Sequence, residues 1–556
     1  MENPTSQSGE PAAAPRKRGW RRACGCCLGF VSAPVLVLLI LAIWLSLGPA
    51  PAPADCLPPE APVKLVARDP AGLAEMFLNE ERWRPLREKA LEGKPPPGRW
   101  QFLGFKLAIG KDVAIAPDDE DATVVAMRPG MLFRAFERVL RLTTDADADG
   151  VRRIPDGDLY YGIIGRTLIA SKQRDKVAAV LARRDSVLKA DGDRQAARDD
   201  RVELRFAGDI SEGNLGHKAL AFVLDLPSAS RCEGWLRTDR DIRELAGQVE
   251  FAPEASAPSA NLPPPLPSSG PASAKLVSAD ALGYWAWQAP PGEDRWQAVG
   301  RFMRLEAVFG GTSADLDLFL KEARKAGIEP ARDLAPRLAG ERAIAVVGQP
   351  GPGGKPLLPA LCATMECADP KAAWPAIRGA LEAYYRVPIV DEPPVIAGKA
   401  PDPWLLRRNY RGVEVVEVVY ACYPWGSGFR PAYAMAGKFA AYSTSRAELE
   451  RMIDRAAGRD AGASLAGSEL LAPRAGNAWP SGLLVLRPQG RGREFADLAL
   501  ALGNYFSAPG REPGPEEEKH ADVLAAILSV TEELRLEWLP ADGGRIRLEI
   551  EGRLAR

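Results

Sequence analysis

The sequence predicts an α+β protein with one N-terminal transmembrane helix and a two-lobed, duplicated exterior of antiparallel sheets and packed helices. Three observations lead to this prediction. Residues 28–48 carry no charge, residues 252–274 are rich in proline and lack apolar periodicity, and short blocks of sequence recur in the same order on both sides of that stretch. Helical and strand periodicities alternate irregularly elsewhere, which favours α+β over a doubly wound α/β fold.

The apolar stretch Leu28–Gly48 is predicted to cross a membrane. Val, Leu and Ile dominate it, and at about 1.5 Å per residue a helix of this length spans roughly 30 Å, the thickness of a bilayer core. The positive-inside rule predicts a cytoplasmic N-terminus and an extracytoplasmic C-terminal region, as in a bacterial inner-membrane protein with a periplasmic domain. The cations that support this orientation all lie in the tail of residues 1–27 and are Arg16, Lys17, Arg18, Arg21 and Arg22.

A cleavable signal peptide is the alternative interpretation of the same segment. Ala52-Pro53-Ala54 precedes Asp55 and resembles a small-residue cleavage site. The apolar run is longer than the roughly 7–15 residues of a signal peptide, however. We therefore expect an uncleaved signal-anchor, followed by a proline-rich spacer at residues 49–62.

The proline-rich stretch 252–274 is predicted to link two α+β lobes, residues 63–251 and residues 275–556. Four blocks of the first lobe recur in order in the second, and this order predicts a duplication. The blocks are 64–66 with 275–277, Arg82-Trp83 with Arg295-Trp296, 109–116 with 338–345, and 161–181 with 433–453. The identities in the last pair are Tyr161/Tyr433, Gly165/Gly437, Ser171/Ser443 and Arg174/Arg446.

One part of the second lobe carries a resemblance to known proteins. The segment Asp333–Ala345 contains Asp-Leu-x-x-x-Leu, then Gly-Glu, then an Ala-Ile-Ala strand. This order resembles an uncharacterised bacterial family of single-span, membrane-anchored proteins with a large duplicated α+β extracytoplasmic region, a domain of unknown function. The resemblance implies a bacterial envelope location and no activity.

Composition restricts the classes of function. The 556 residues carry 72 basic and 73 acidic side chains, a net charge of −1, so a nucleic-acid binder is not expected. His217 and His520 are the only histidines in the sequence, so a mechanism that needs several histidines is not expected either. The motifs Gly-x-Ser-x-Gly and His-Glu-x-x-His are absent. No catalytic residue is predicted, and whether the protein is an enzyme stays open.

One acidic segment has the spacing of a metal-binding loop. Residues 145–150 follow the pattern Asp-x-Asp-x-Asp-Gly, and three alternating carboxylates can converge on a hard cation such as Ca²⁺. Pro155 opposes a following helix, so the segment is not an EF-hand. An isolated calcium loop and an acidic surface turn are the two remaining interpretations. The candidate calcium ligands are Asp145, Asp147, Asp149, the carbonyl of Val151, and Asp156.

Five cysteines follow the predicted span. An extracytoplasmic location permits disulfides, and an odd number leaves at least one cysteine without an intramolecular partner. Their pairing stays open at this point. These cysteines are Cys56, Cys232, Cys362, Cys367 and Cys422.

The predicted function is binding or scaffolding in the cell envelope by a single-pass, membrane-anchored protein. Its expected partners are the lipid bilayer, through residues 28–48, and an envelope protein or glycan. The aromatic run Tyr284-Trp285-Ala286-Trp287 is a candidate glycan platform, although its alternation favours a buried strand. The alternative is an envelope enzyme, for example a hydrolase acting on cell-wall polymers. Such an enzyme should show a deep pocket with converging carboxylates of shifted pKa.

Overall fold

The structure is a computed structural model. It describes residues 51–91, 109–117, 122–130, 134, 144–154, 158–190, 200–209, 229–253, 264–288, 321–350, 356–384, 405–418, 430–471, 479–507, 514–541 and 545–555, apart from residues 322, 334, 461 and 489.

Nineteen strands form the main part of the described chain. The first nine are β1 (Val63–Arg68), β2 (Ile109–Ala116), β3 (Val124–Pro129), β4 (Arg152–Arg153), β5 (Tyr160–Ile164), β6 (Thr167–Ser171), β7 (Val202–Asp209), β8 (Ala229–Thr238) and β9 (Glu244–Pro253). The others are β10 (Gly283–Gln288), β11 (Leu338–Pro350), β12 (Pro356–Cys367), β13 (Leu405–Tyr410), β14 (Val413–Val418), β15 (Ala432–Ala436), β16 (Phe439–Ser443), β17 (Gly482–Leu486), β18 (Thr531–Pro540) and β19 (Ile546–Leu554).

The helices are fewer than the strands and connect them. They are α1 (Pro70–Asn79), α2 (Arg84–Leu91), α3 (Arg174–Ala182), α4 (Arg184–Ala190), α5 (Pro330–Asp333), α6 (Pro370–Tyr384), α7 (Arg446–Ala456), α8 (Gly492–Ser507) and α9 (Pro515–Ser529). Short 3-10 turns at Pro53–Cys56 and Ala272–Leu276 precede β1 and β10.

All strands belong to one sheet, and every pairing between them is antiparallel. The spatial order is β4-β5-β6-β3-β2-β1-β7-β8-β9-β19-β18-β17-β10-β11-β12-β16-β15-β14-β13. The strand order of β1–β9, which we call the first repeat, recurs in β10–β12 and β14–β19, the second repeat. Strand β13 is an addition to the second repeat.

The residue register confirms this correspondence strand by strand. In the first repeat Leu65 lies opposite Leu204, and the row continues through Leu236 to Gly247. In the second repeat Trp285 lies opposite Leu484, and the row continues through Leu536 to Ile550. Gly247 and Ile550 are themselves paired where β9 meets β19. Equivalent residues of the two repeats therefore meet at the junction, and the pairing is symmetric about it.

The predicted fold class is corrected by this topology. We expected a two-lobed α+β exterior, whereas the described chain is mostly one large antiparallel sheet with few helices. The physical reason is that β9 and β19 each end a repeat with a free edge. Pairing the two edges satisfies the backbone hydrogen bonds of both. Proline content, on which the two lobes were predicted, carries no information about which strand edges meet.

The stretch 252–274, predicted to be an interdomain linker, is partly built into the sheet and its core. Its first residues belong to β9, which ends at Pro253, and residues 254–263 lie outside the described part. Leu266 is buried in the core of the second repeat, and its N–H donates to the carbonyl of Pro480 at 2.8 Å. The second part of the stretch is therefore packed against the sheet.

Among the residues that the structure describes, no helix combines the length and apolar character that a membrane span needs. This finding contradicts the sequence-based prediction of a single-pass transmembrane protein. The tail 1–27 and the predicted span 28–48 lie outside the described residues. The predicted location of the chain stays a prediction.

Two faces of the sheet carry different cores. Helices α3 and α7 cover one face, which we call the helix face, where Val180 packs with Ala114 and Leu449 packs with Ala345 in separate clusters. The opposite face holds a cluster of residues from both repeats and is called the tryptophan face. That cluster includes Cys232, Val249, Phe251, Trp538, Ile546 and Leu548. The two repeats therefore share a core as well as a strand pair.

Two glycines noted in the sequence have a conformational role. Gly165 and Gly437 occupy the β5–β6 and β15–β16 turns with positive φ angles of 58° and 63°. Left-handed backbone in a short hairpin turn favours glycine because it has no Cβ. The identity between the two blocks therefore reflects the same turn built twice.

Candidate functional site: an open groove on the helix face

A groove of about 650 Å³ lies over the strands next to the junction of the repeats. Segment 59–62 forms one wall, and strands β1, β7, β8 and β9 form the floor. Its volume falls within the roughly 300–1,000 Å³ of ligand pockets. The groove was not predicted from the sequence.

The register places the polar side chains of the groove in one row. Lys64 lies opposite Arg205, Arg205 opposite Trp235, and Trp235 opposite Gln248. Directly paired residues of antiparallel strands point to the same face of the sheet. A band of polar side chains thus crosses the helix face, at strands that α3 and α7 do not cover.

A buried carboxylate organises the cationic side of the groove. Glu203 on β7 is 5% exposed and accepts hydrogen bonds from Arg205 Nε at 2.8 Å and from Arg237 Nη2 at 3.0 Å. Burial raises the pKa of Glu203, but the two guanidinium groups outweigh it and hold the pKa below its usual value. Glu203 is therefore an anion that positions two arginines.

Trp235 presents the aromatic surface of the groove. The guanidinium of Arg237 stacks on its ring, with the Cζ atom 4.3 Å from the ring centroid. Stacking on Trp235 and the hydrogen bonds to Glu203 hold the Arg237 side chain in one conformation. It would therefore lose less conformational entropy on contacting a ligand. The pair forms a rigid, flat recognition surface.

The far end of the groove is acidic but also ion-paired. Glu250 on β9 lies 3.4 Å from Arg545 and 3.2 Å from Arg547. Gln248 Nε2 donates to the same carboxylate at 3.0 Å. Glu233, opposite Glu250, also lines this end and lies 4.0 Å from Arg545. The groove therefore has three cations, Lys64, Arg205 and Arg237, at one end and two ion-paired carboxylates at the other.

Lys64 lies at the cationic end. Its ammonium donates to the carbonyl of Pro59 at 2.9 Å. Burial, and next the charge of Arg183, lower the pKa of Lys64. Positive neighbours therefore outweigh the nearby Glu60 at this end of the groove.

Three carboxyl groups of the described residues have a raised pKa, and none of them lines the groove: Glu341, Glu448 and Glu494. Burial raises the pKa of Glu341 and of Glu448, which are both in the core of the second repeat. Glu341 accepts hydrogen bonds from the N–H groups of Ala272 and Ser273 at 2.6 and 2.7 Å. This carboxylate caps the 3-10 turn before β10 and does not face the groove.

In the candidate calcium loop, an arginine side chain occupies the position that a metal ion would take. Arg174 Nη2 lies 2.6 Å from carboxylate oxygens of both Asp147 and Asp149. Desolvation raises the pKa of Asp147, but hydrogen bonds from the N–H of Val151 and from Arg174 outweigh it and lower the pKa. The Val151 carbonyl accepts the N–H of Asp147 at 3.0 Å. Asp145 is exposed, and Asp156 lies outside the described residues.

The second repeat builds the same arrangement with other residues. Arg446, the equivalent of Arg174 at the start of α7, lies 3.3 Å from the buried Glu417. An arginine at the start of a helix thus pairs in both repeats with a carboxylate from the preceding strand or loop. Within the described part of the chain, no group of three or more His, Cys, Asp or Glu side chains is placed to hold a metal ion.

The aromatic run proposed as a glycan platform is part of the core. Tyr284 is 2% exposed, and Trp285 and Trp287 stack at 4.4 Å within the tryptophan-face cluster. Cys56, Cys232, Cys362 and Cys367 are buried thiols, and Cys422 lies outside the described part. Neither set belongs to the groove.

One sequence signal could have revealed the groove. Glu203 and Arg205 alternate with apolar residues along β7, as do Trp235 and Arg237 along β8. Such alternation predicts a strand with one polar face. Which polar faces lie side by side follows only from the strand order.

The comparisons with known proteins do not identify the chain. No family model and no curated protein matches it. Among solved structures, two crystal forms of TP0453 are similar at TM-scores of 0.23 and 0.20, with sequence identities of 9% and 12%. Each match covers 38% of this chain, and 82% or 81% of that chain.

Proposed function

We propose that the protein is a non-catalytic binding protein whose ligand lies in the groove on the helix face. The observation that carries this proposal is the chemistry of the groove: an aromatic surface and polar side chains on a rigid sheet, with Glu203 and Glu250 both held by arginines. Such groups recognise a ligand through hydrogen bonds, charge and stacking.

A hydrolase acting on cell-wall polymers is less well supported. Hydrolysis of a glycosidic bond uses one carboxylic acid of raised pKa beside a second carboxylate. At the groove, Glu203 has a lowered pKa. The carboxyl groups of the described residues that have a raised pKa, Glu341, Glu448 and Glu494, do not line the groove. The described groove therefore favours recognition over acid–base chemistry.

Binding in the groove is tested with labelled full-length protein on peptide and glycan arrays. We expect at least one ligand class to bind, and Trp235→Ala to weaken that binding about tenfold or more, as for an aromatic anchor. The matched control is Arg553→Ala, because Arg553 is an exposed strand arginine outside the groove, paired with Glu533. Ligands that bind Trp235→Ala as tightly as the wild type, or that are cleaved during the assay, would refute the proposal.

We also propose that Arg174 supplies the positive charge that a calcium ion would supply to the loop of residues 145–150. The melting temperature of the wild-type protein is expected not to change in millimolar calcium. Arg174→Gln removes the cation from Asp147 and Asp149, so this variant is expected to gain a calcium-dependent increase in melting temperature. Arg153→Gln, which removes an exposed arginine near the same loop, is the control. A calcium response of the wild type would favour a calcium loop instead.

A further inference from the structure

Three indole N–H groups on the tryptophan face have no hydrogen-bond acceptor among the residues that the structure describes. They belong to Trp285 and Trp287 on β10 and to Trp538 on β18, and we call these three side chains the indole cluster. The three nitrogen atoms are buried, and Trp538 is 1% exposed. A buried donor without an acceptor is destabilising and rare in folded proteins. The cluster therefore holds three donors that the described chain does not use.

The three rings form one contiguous group. Trp285 and Trp287 stack with their ring centroids 4.4 Å apart, and Trp538 meets Trp285 edge-on at 6.0 Å. Gly482 lies in register between Trp287 and Trp538, and a Cβ atom at this glycine would clash with the Nε1 edge of the Trp538 ring. The glycine thus lets the Trp538 ring extend over β17 toward β10, so the three N–H groups belong to one patch of the sheet.

Tryptophans outside the cluster provide the comparison. Trp374 Nε1 donates to Glu414 at 2.8 Å, and Trp479 Nε1 donates to the carbonyl of Ser268 at 2.9 Å. Trp83 in the first repeat lacks an acceptor, so a single group of this kind does not indicate a site. Three such groups on touching rings are a different case, because one molecule with an acceptor can serve more than one of them.

The first repeat builds the same position of the sheet without orphaned donors. The register equivalents of the indole cluster, in chain order, are Leu65, Ala67 and Thr238. Leucine and alanine have no polar side-chain atom, and Thr238 Oγ1 accepts the N–H of Val202 at 3.2 Å. The fold itself does not require indole donors here, so their presence in the second repeat points to a ligand.

We propose that the indole cluster binds a neutral, apolar molecule that carries a carbonyl oxygen. The oxygen accepts a hydrogen bond from at least one of the indole N–H groups. The apolar part lies against the rings and against Leu484, Leu536 and Leu548, which belong to the same core. This site lies on the face opposite the groove, so the inference does not depend on the proposed function.

The surroundings favour a neutral acceptor over an anion. The side chains of the tryptophan-face cluster are apolar apart from the indole nitrogens and the thiol of Cys232, and burial of a charge among such groups is costly. Arg342 on β11 lies opposite Trp287, and paired residues of antiparallel strands point to the same face. Because this arginine would attract an anion, the experiment includes a carboxylate probe.

The test follows the indole N–H signals of full-length protein, labelled with isotopes on tryptophan, in NMR spectra that single Trp→Phe variants assign. The probes are butyrophenone, butylbenzene, which has a methylene in place of the carbonyl, and phenylbutyrate, which is an anion. We expect butyrophenone to move at least one signal of the indole cluster downfield, and to bind about tenfold more tightly than butylbenzene, because it satisfies a buried donor. The signals of Trp374 and Trp479 should stay in place.

A substitution checks the same hydrogen bond. The Trp→Phe variant that removes the shifted signal should bind butyrophenone only as tightly as butylbenzene, because the ring remains and the donor is lost. Trp479→Phe is the matched control and should change neither affinity.

Each other outcome overturns a defined statement. Cluster signals that already lie downfield in the free protein, as expected for Trp374 and Trp479, show that the donors have acceptors and overturn the inference. Equal affinity for butyrophenone and butylbenzene overturns the role of the carbonyl. Tighter binding of phenylbutyrate assigns the site to an anion and overturns the neutral class. Binding of none of the three probes, or shifts confined to other tryptophans, overturns the site.

Discussion

Replacing Glu448 by alanine is expected to lower the free energy of unfolding by about 3 kcal/mol, because removal of one partner of a buried ion pair leaves the other charge uncompensated. The Glu448 side chain is fully buried, and Arg455 is 6% exposed. Arg455 Nη1 lies 2.9 Å from the Glu448 carboxylate and also donates to the carbonyl of Leu276 at 3.1 Å. The pair therefore joins α7 to the 3-10 turn before β10.

The expected loss of unfolding free energy lies at the low end of the range for buried ion pairs, because Arg455 retains a second carboxylate partner in the variant. Its Nε atom lies 3.0 Å from Asp460. Arg451 also contacts Glu448 at 2.7 Å, but its side chain is 43% exposed and can turn to solvent. The mutation should therefore destabilise the protein without abolishing its fold.

A second variant on the same helix provides the control for urea unfolding of full-length protein. Glu450→Ala removes a partly exposed carboxylate that lies 3.3 Å from Arg446, and pairs of this kind contribute about 0–1 kcal/mol. Glu448→Gln keeps an acceptor for Arg455 and should fall between the two. If Glu448→Ala and Glu450→Ala lower the free energy of unfolding by the same amount, the buried ion pair contributes no more to stability than the partly exposed one.

Local patterns predicted local structure well. The block 161–181 covers β5, β6 and α3, and the block 433–453 covers β15, β16 and α7. Its identities have physical causes: Gly165 and Gly437 make left-handed turns, and Ser171 and Ser443 are buried at strand ends. The last two strands, β18 and β19, pair antiparallel, and alternating apolar residues such as Leu534, Leu536 and Trp538 lie along β18.

One recurring block was aligned wrongly. We matched residues 64–66 with 275–277, but 275–276 lie in a 3-10 turn and the register equivalent of Leu65 is Trp285. A sequence match of three residues arises easily by chance, whereas a continuous series of equivalent cross-strand pairs does not. The structure also matches Arg183 with Arg455: each donates from a helix end to a carbonyl near the preceding 3-10 turn.

The site and the junction could not be predicted because both depend on long-range pairing. The groove needs β1, β7, β8 and β9 side by side, and these strands come from residues as far apart as Val63 and Pro253. Alternation along β8 indicates a polar face but not its neighbours. The junction in turn joins strands that lie in different repeats, which no local pattern records.

The two repeats are expected to fold together and not as independent units. A chain with a protease site placed within residues 254–263 should, after cleavage, remain one complex of about the original 59.9 kDa. The reason is that residues 244–251 of β9 pair with residues 546–553 of β19. Phe251 and Trp538, one from each repeat, share the tryptophan-face cluster behind this pairing.

Separate expression of residues 1–258 and 259–556 gives the complementary result. Each fragment would carry an unpaired edge strand and half of a shared core, which is the condition for aggregation. We expect each fragment alone to bind a hydrophobic dye and to lack a cooperative thermal transition. Co-expressed fragments should bind as little dye as the intact chain and melt cooperatively as it does. Trp538→Ala should weaken reassembly of the fragments, because it removes the largest fully buried side chain of the shared cluster. Two fragments that separate after cleavage and each melt cooperatively would show instead that the repeats are independent domains, as proline content alone had indicated.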